Sequence, residues 1–211
     1  MNNEIRLSSL ELELQKVLTR ITANWSMQNN YNDYRSNFIY SVETVDDCIR
    51  MAKENGISED YALHRWYNFK TSIQCENIFV EYGAKKESDF RNKEIDIYIN
   101  GVPFDVKLTV YPKALSNHPF DLTTRNGKDE MIKWMYAHQS QQQRKHLANR
   151  LFIVCDGTSQ FDSLKLKSDF LQIRKKILSF LEFTKQNGFN KLSIYDYGKR
   201  YDVCSDVIVI N

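Results

Sequence analysis

The 211-residue chain holds only three prolines, seven glycines and four cysteines, and each shortage excludes something. With so little Pro and Gly there is no Pro-rich or Gly/Ser-rich linker, and with no repeat or low-complexity segment the sequence reads as one domain over 1–211. Cys48, Cys75, Cys155 and Cys204 are scattered, without C-x-x-C spacing or partner histidines. That argues against a zinc site and for reduced thiols in a cytoplasm. No apolar run approaches the roughly 20 residues that span a bilayer, and the start "MNNEIRLSSLELELQ" is too polar and acidic for a secretory signal. A cytoplasmic protein without membrane association is therefore expected. Net charge is only +2, so any nucleic-acid role must rest on a local patch. A Gly-rich phosphate loop, a G-x-S-x-G elbow and a Cys–His pair in a recognisable setting are all missing.

What is present is an apolar content of 42% with 12 Tyr and 12 Phe, enough for a real core. "EIRLSSLELELQKVLTRITANW" spaces its apolar residues as an amphipathic helix of about five turns. A polar loop follows at 26–36, then a helix capped by Thr44 and stopped at Asn55-Gly56. A long or broken helix runs from Ser58 to Gly83. Three extended stretches, "GAKKES", "KEIDIYIN" and "VPFDVKLTV", precede a helix somewhere in "GKDEMIKWMYAHQSQQQRKHLAN" and an apolar strand, "RLFIVC". A helix over "KSDFLQIRKKILSFLEFTKQNG", stopped by Gly188, and strands "KLSIYDYG" and "SDVIVIN" complete the chain. A meander followed by a helical crossover to a buried strand predicts a mixed α/β sheet with helices on its faces. The expected parts are a helical extension (1–57), a central core (58–157) and a C-terminal helix with strands (158–211).

The stretch "EIDIYINGVPFDVKLTV" (94–110) carries the chemistry. Period-two alternation on either side of Asn100-Gly101 predicts a hairpin with a two-residue turn. Ile99 then faces Val102, Tyr98 faces Pro103, Asp96 faces Asp105, and Glu94 faces Lys107. Opposed carboxylates on one face are unfavourable, more so when covered, and a divalent cation with oxygen ligands would relieve them. Lys107 lies about 6.6 Å along the strand from Asp105, within reach of a phosphate or an attacking water. A solvated outer face, with Glu94–Lys107 a surface ion pair, is the plain alternative.

These residues resemble the PD-(D/E)xK nuclease superfamily, with its restriction-endonuclease-like fold. The matching positions are Asp96 on one strand and Asp105-Val106-Lys107 on the next, within the helix, meander, helix, strand order of residues 60–155. Ile95 stands where the motif's nominal proline would be. The resemblance implies a Mg²⁺- or Mn²⁺-dependent nuclease, DNA favoured over RNA as substrate, with metal held by Asp96, Asp105, the Val106 carbonyl and an acidic residue of the preceding helix. Glu76 is the preferred helix carboxylate and Glu81 the alternative; Glu94 is an accessory. A chain this small that cuts both strands of a duplex would act as a homodimer. A non-catalytic binding module on the same scaffold is the competing expectation.

Other motifs have plainer readings. "HQSQQQRKH" (138–146) offers Gln143 and Arg144 to a phosphate track, or is a solvated helix face. Lys165, Lys167, Arg174, Lys175 and Lys176 could hold a phosphate backbone or line a soluble helix. "HRWYNFK" (64–70) is read chiefly as core packing.

Overall fold

A computed structural model describes residues 7–22, 29–89, 91–92, 94–138 and 147–211. The chain divides into two compact units, residues 1–73 and 74–211, the division falling inside a helix. Among the described residues no helix is long and apolar enough to cross a membrane.

The first unit is helical. Helix α1 spans Ser9–Leu18, shorter than its apolar periodicity suggested, because Ser8 and Glu11 form a capping box that fixes its start. Helix α2 (Asn30–Arg35) occupies what was expected as loop, started by Asn29. Helix α3 (Val45–Glu54) begins at Thr44 as expected, whose hydroxyl accepts from the Asp47 N–H. Glu13 of α1 accepts the otherwise orphaned Val45 N–H at 2.7 Å, tying the two helices together. Helix α4 (Glu59–Glu81) is unbroken, and its first fifteen residues belong to this unit. There Arg65 is buried, donating to the Asp33 carbonyl at 2.7 Å and the Ser36 hydroxyl at 2.6 Å, while the Trp66 indole donates to the Val42 carbonyl at 3.0 Å. The "HRWYNFK" segment thus serves packing.

The second unit holds a six-stranded mixed sheet flanked by helices. Its elements are β1 (Lys85–Lys86), β2 (Ile97–Ile99), β3 (Val102–Val110), α5 (Arg125–Ala137), β4 (Arg150–Cys155), α6 (Gln160–Leu166), α7 (Phe170–Asn187), β5 (Lys191–Asp196) and β6 (Lys199–Ile210). The spatial order is β1-β2-β3-β4-β6-β5. β3, β4 and β6 are mutually parallel and the outer pairings antiparallel. β4 is buried along its whole length, as a parallel strand between helices must be. On one face Met131, Ile132 and Tyr136 of α5 cover Phe152, Val154, Val203 and Val207; α6 and α7 also contact the central strands. α6 was not anticipated, and β6 starts six residues earlier than "SDVIVIN" suggested. All four cysteines are free, and Cys155 is buried as expected.

One side chain aligns the middle of this sheet. Asn149, just before β4, donates from Nδ2 to the Pro103 carbonyl at 3.0 Å and accepts at Oδ1 from the Cys204 N–H at 2.8 Å. Its own carbonyl accepts from the Asp105 N–H at 3.0 Å.

Candidate active site

The site forms where β2 stops and β3 continues. Their ladder is Ile97↔Phe104, Tyr98↔Pro103 and Ile99↔Val102, the register expected from alternation. Asn100 and Gly101 close it at φ 51° and 82°; a type I′ turn needs positive φ at both positions, which an Asn-Gly pair supplies at least cost. Asp96 then departs from regular pairing. Its N–H donates to the Phe104 carbonyl and its carbonyl accepts from the Glu87 N–H, both at 2.9 Å. Its Oδ2 accepts from the Val106 N–H at 2.7 Å. A carboxylate therefore takes the place of the backbone partner that a longer β2 would supply. Since the N–H and C=O of one strand residue point to the same side, the Val106 carbonyl points to the same side of β3 as the N–H that Asp96 takes.

Asp105 is 2% exposed, and its charge acts on the Asp96 carboxyl. Burial is the main cause that pushes Asp96 up to about 6; the Val106 N–H works against it and the Asp105 charge adds to it. Glu76 reaches in from α4, 8% exposed. Burial, then the charge of Asp96, push it up to about 7 against the pull of Lys86, whose Nζ lies 3.4 Å from Glu76 Oε2. Glu81 instead engages Arg174 at 3.0 and 3.2 Å, so of the two helix carboxylates Glu76 is the one beside Asp96.

Lys107 differs from expectation in its partner. Its Nζ lies 2.6 Å from Asp105 Oδ1 and its side chain is half-exposed. The ladder that would have set Glu94 opposite it does not extend past Ile97; Glu94 is exposed before β2, its N–H bonded to the Asn92 side chain at 3.0 Å.

The residue that sequence reasoning missed is Arg150. It opens a strand read as wholly apolar, yet it is charged, 5% exposed and level with Asp105 in the β3–β4 register. Its Nε lies 2.7 Å from Asp105 Oδ2; the N–H is not aimed along a hydrogen bond, so the contact is an ion pair. The guanidinium also sits 5.7 Å from the centre of the Tyr136 ring, a cation–π distance. Asp105 is thus held between a half-exposed ammonium and a buried guanidinium.

The raised pKa values have a measurable consequence. In the folded chain Glu76 and Asp96 keep protons to about 7 and about 6, whereas unfolded carboxyls release them near about 4. Between these limits the folded state binds more protons, so stability falls as pH rises, by up to about 1.4 kcal/mol per pH unit for each proton of difference. Urea midpoints measured in EDTA from pH 4 to 8 should decline through this window and level off above it. A flat profile would show that burial places no burden on the two acids.

The donor set suits a hard divalent cation: buried carboxylates that repel one another, a backbone carbonyl alongside, and no sulfur or imidazole. As the side chains stand, both Asp105 oxygens are engaged by cations, and among the described residues no three ligating side chains are poised around one point. Each carboxylate oxygen keeps a second lone pair, so the residues fit such an ion in kind.

The remaining candidates lie elsewhere. Gln143, Arg144 and His146 fall outside the described residues, as do 26–28 of the polar loop expected at 26–36. His138 stacks on Trp134 at 4.1 Å and its Nδ1 lies 2.8 Å from the Trp134 carbonyl. In the basic stripe, Lys165 pairs with Asp162 at 3.1 Å and Arg174 with Glu81. Lys167 is not on a solvent face but buried near Cys155 and Cys75, where burial lowers its pKa to about 8. Segment 112–128 contains a 3-10 turn at Lys113–Leu115 and the first turn of α5. Compared with models of protein families, with characterised proteins and with solved structures, the chain finds no match.

Proposed function

We propose that the protein is a metal-dependent nuclease of the PD-(D/E)xK type, hydrolysing phosphodiester bonds in DNA. The observation that supports this most is Asp105 paired with Lys107 where β3 outruns β2, next to Asp96 held by the Val106 N–H, with the charge of Asp96 acting in turn on Glu76. A Mg²⁺ or Mn²⁺ ion held by Asp96, Asp105, the Val106 carbonyl and Glu76 would supply Lewis acidity toward the phosphoryl oxygen and a more acidic bound water. Lys107, on the solvent side of Asp105, orients the attacking water and offers positive charge to the phosphate as negative charge builds on it. Glu76, with its raised pKa, is suited to hold or release a proton near neutral pH. Arg150 fixes the rotamer of Asp105 from behind. A homodimer would bring two such sites to opposite strands, and the free thiols suit a cytoplasmic setting.

One observation favours a second reading, a non-catalytic binding module on the same scaffold. Lys107 and Arg150 already neutralise Asp105, which weakens the drive to take up a cation.

Melting in the presence of metal separates the two. At pH 8, millimolar Mn²⁺ should raise the melting temperature of the wild-type chain by several degrees, since a ligand at 100 times its Kd adds about 2.7 kcal/mol, and the rise should vanish in Asp96→Asn. Cleavage assays on plasmid, single-stranded DNA and RNA, each with and without Mg²⁺, then define the substrate. No metal shift and no cleavage would leave the binding module standing.

A further inference from the structure

Two lysines, not one, stand at the candidate active site. Lys86 belongs to β1, the two-residue strand at one end of the sheet. It is level with Ile97 of β2, which is level with Phe104 of β3. Residues opposite one another in a ladder share a face, so Lys86 rises on the Phe104 face; Lys107, three residues past Phe104, rises on the other. The two ammoniums therefore flank the edge of β3 from opposite faces of the sheet.

Lys86 differs from a lysine that merely blunts a strand edge by pointing into water. Its side chain is 45% exposed, and its Nζ lies 3.4 Å from Oε2 of the buried Glu76. Among the described residues Glu76 has no other ion-pair partner, and the charges of Lys86 and, less strongly, of Lys107 act on it. The three cations grip unequally. Arg150 and Lys107 lie 2.7 and 2.6 Å from Asp105, whereas the Lys86 contact is wider than the roughly 2.7–2.9 Å of a charge-assisted hydrogen bond.

A half-solvated ion pair adds little stability, and burying a carboxylate is costly, so the fold alone gives no reason for this pair. An ammonium resting loosely against a metal-binding carboxylate has a chemical use. A divalent ion that takes Glu76 competes with the ammonium for the same oxygen and repels it. Lys86 ends a flexible four-carbon stem on the outermost strand, so it can swing away without backbone movement. Once released at the rim, the ammonium is available to a phosphate oxygen.

We propose that Lys86 is a displaceable counter-charge, which neutralises Glu76 until a divalent ion takes that carboxylate and then turns to a phosphate of the substrate, on the face of the sheet opposite Lys107. The inference rests on the nuclease reading and adds to it a residue that couples metal uptake to substrate binding.

The test pairs Mn²⁺ titration calorimetry of the full chain at pH 8, without nucleic acid, with single-turnover cleavage of duplex DNA at saturating Mn²⁺. Lys86→Met keeps the aliphatic stem and removes the charge. It should bind Mn²⁺ about tenfold more tightly, the scale of removing one like charge a few ångströms from a dication, and yet cut about tenfold more slowly. Lys86→Arg should lie near wild type in both measurements, and both variants should melt like wild type in EDTA. A lysine that only holds Glu76 in place gives the opposite sign: weaker or unchanged Mn²⁺ binding by Lys86→Met overturns the inference. Unchanged cleavage by that variant with metal saturating overturns it too, because the ammonium would then not pass to a phosphate. Lys85→Met removes the same formal charge from the exposed neighbouring position; if it reproduces both effects, net charge is the cause and Lys86 has no special role. In each of these cases the nuclease reading stands. No Mn²⁺ binding by either wild type or Lys86→Met removes that reading and this inference together.

Discussion

Lys107→Ala is expected to reduce Mg²⁺-dependent cleavage by about 10³-fold, the scale of losing one preorganised charge at a reacting centre, with little change in stability. The second half follows from where the ammonium sits. Its side chain is 48% exposed, and removing one partner of a solvated ion pair alters stability by about 0–1 kcal/mol. Asp105 does not lose its only counter-charge, because Arg150 remains behind it. Single-turnover cleavage beside a thermal melt gives both numbers. Retained activity in a normally folded Lys107→Ala protein would remove the nuclease proposal, since no other ammonium shares Lys107's place beside Asp105 among the described residues.

Asp105→Ala is expected to behave quite differently, destabilising the fold by about 3–5 kcal/mol. The substitution leaves the buried Arg150 guanidinium without its carboxylate, and an uncompensated interior charge carries a cost of that order. Loss of cleavage in this variant would therefore say little about chemistry, and the aspartate cannot be tested by alanine on the assumption of an intact fold. Asp105→Asn retains the shape and one carbonyl acceptor and is the better probe of the reaction. Asp105→Ala combined with Arg150→Met should recover most of the lost stability, because an apolar pair of similar volume can match or exceed a buried ion pair. Urea unfolding of the three variants measures this. A single alanine variant within about 1 kcal/mol of wild type would mean that water reaches Arg150 and that the pair is not the fixed element described above.

Much of the site was legible because its determinants are local. Asn100-Gly101 between alternating runs sets the hairpin register from Ile99↔Val102 to Ile97↔Phe104; the ladder ends one step short of the expected Asp96–Asp105 pair, and Asp96 turns to the Val106 N–H instead. Glu76 could be chosen over Glu81 from its place beside the apolar stripe of α4, and it is the buried one. Arg150 was not legible because its role depends on parallel pairing of β3 with β4, across a long connection that no local pattern encodes. Its five apolar neighbours, Leu151 to Cys155, make the strand look uniform. The true partner of Lys107 was obscured for a related reason: alternation continues back to Glu94, but β2 stops at Ile97 once Asp96 turns its side chain to the Val106 N–H. The length of α1 was overestimated because periodicity ignores caps, and Ser8 with Glu11 settles where that helix begins. The early start of β6 reflects its pairing with β5 over residues 199–204, ahead of its pairing with β4, in polar stretches that lack the apolar run that marks a central strand.

The one side-chain amide of Asn149 grips the Pro103 carbonyl near the start of β3 and the Cys204 N–H of β6. A bond at each end of a single rigid plane makes it a gauge block between two parts of the molecule that flank β4. Were a long substrate seated on both parts, this spacer would govern where along the polymer scission falls. Shortening or reshaping the spacer would blur the location of the break sooner than it would slow the breaking.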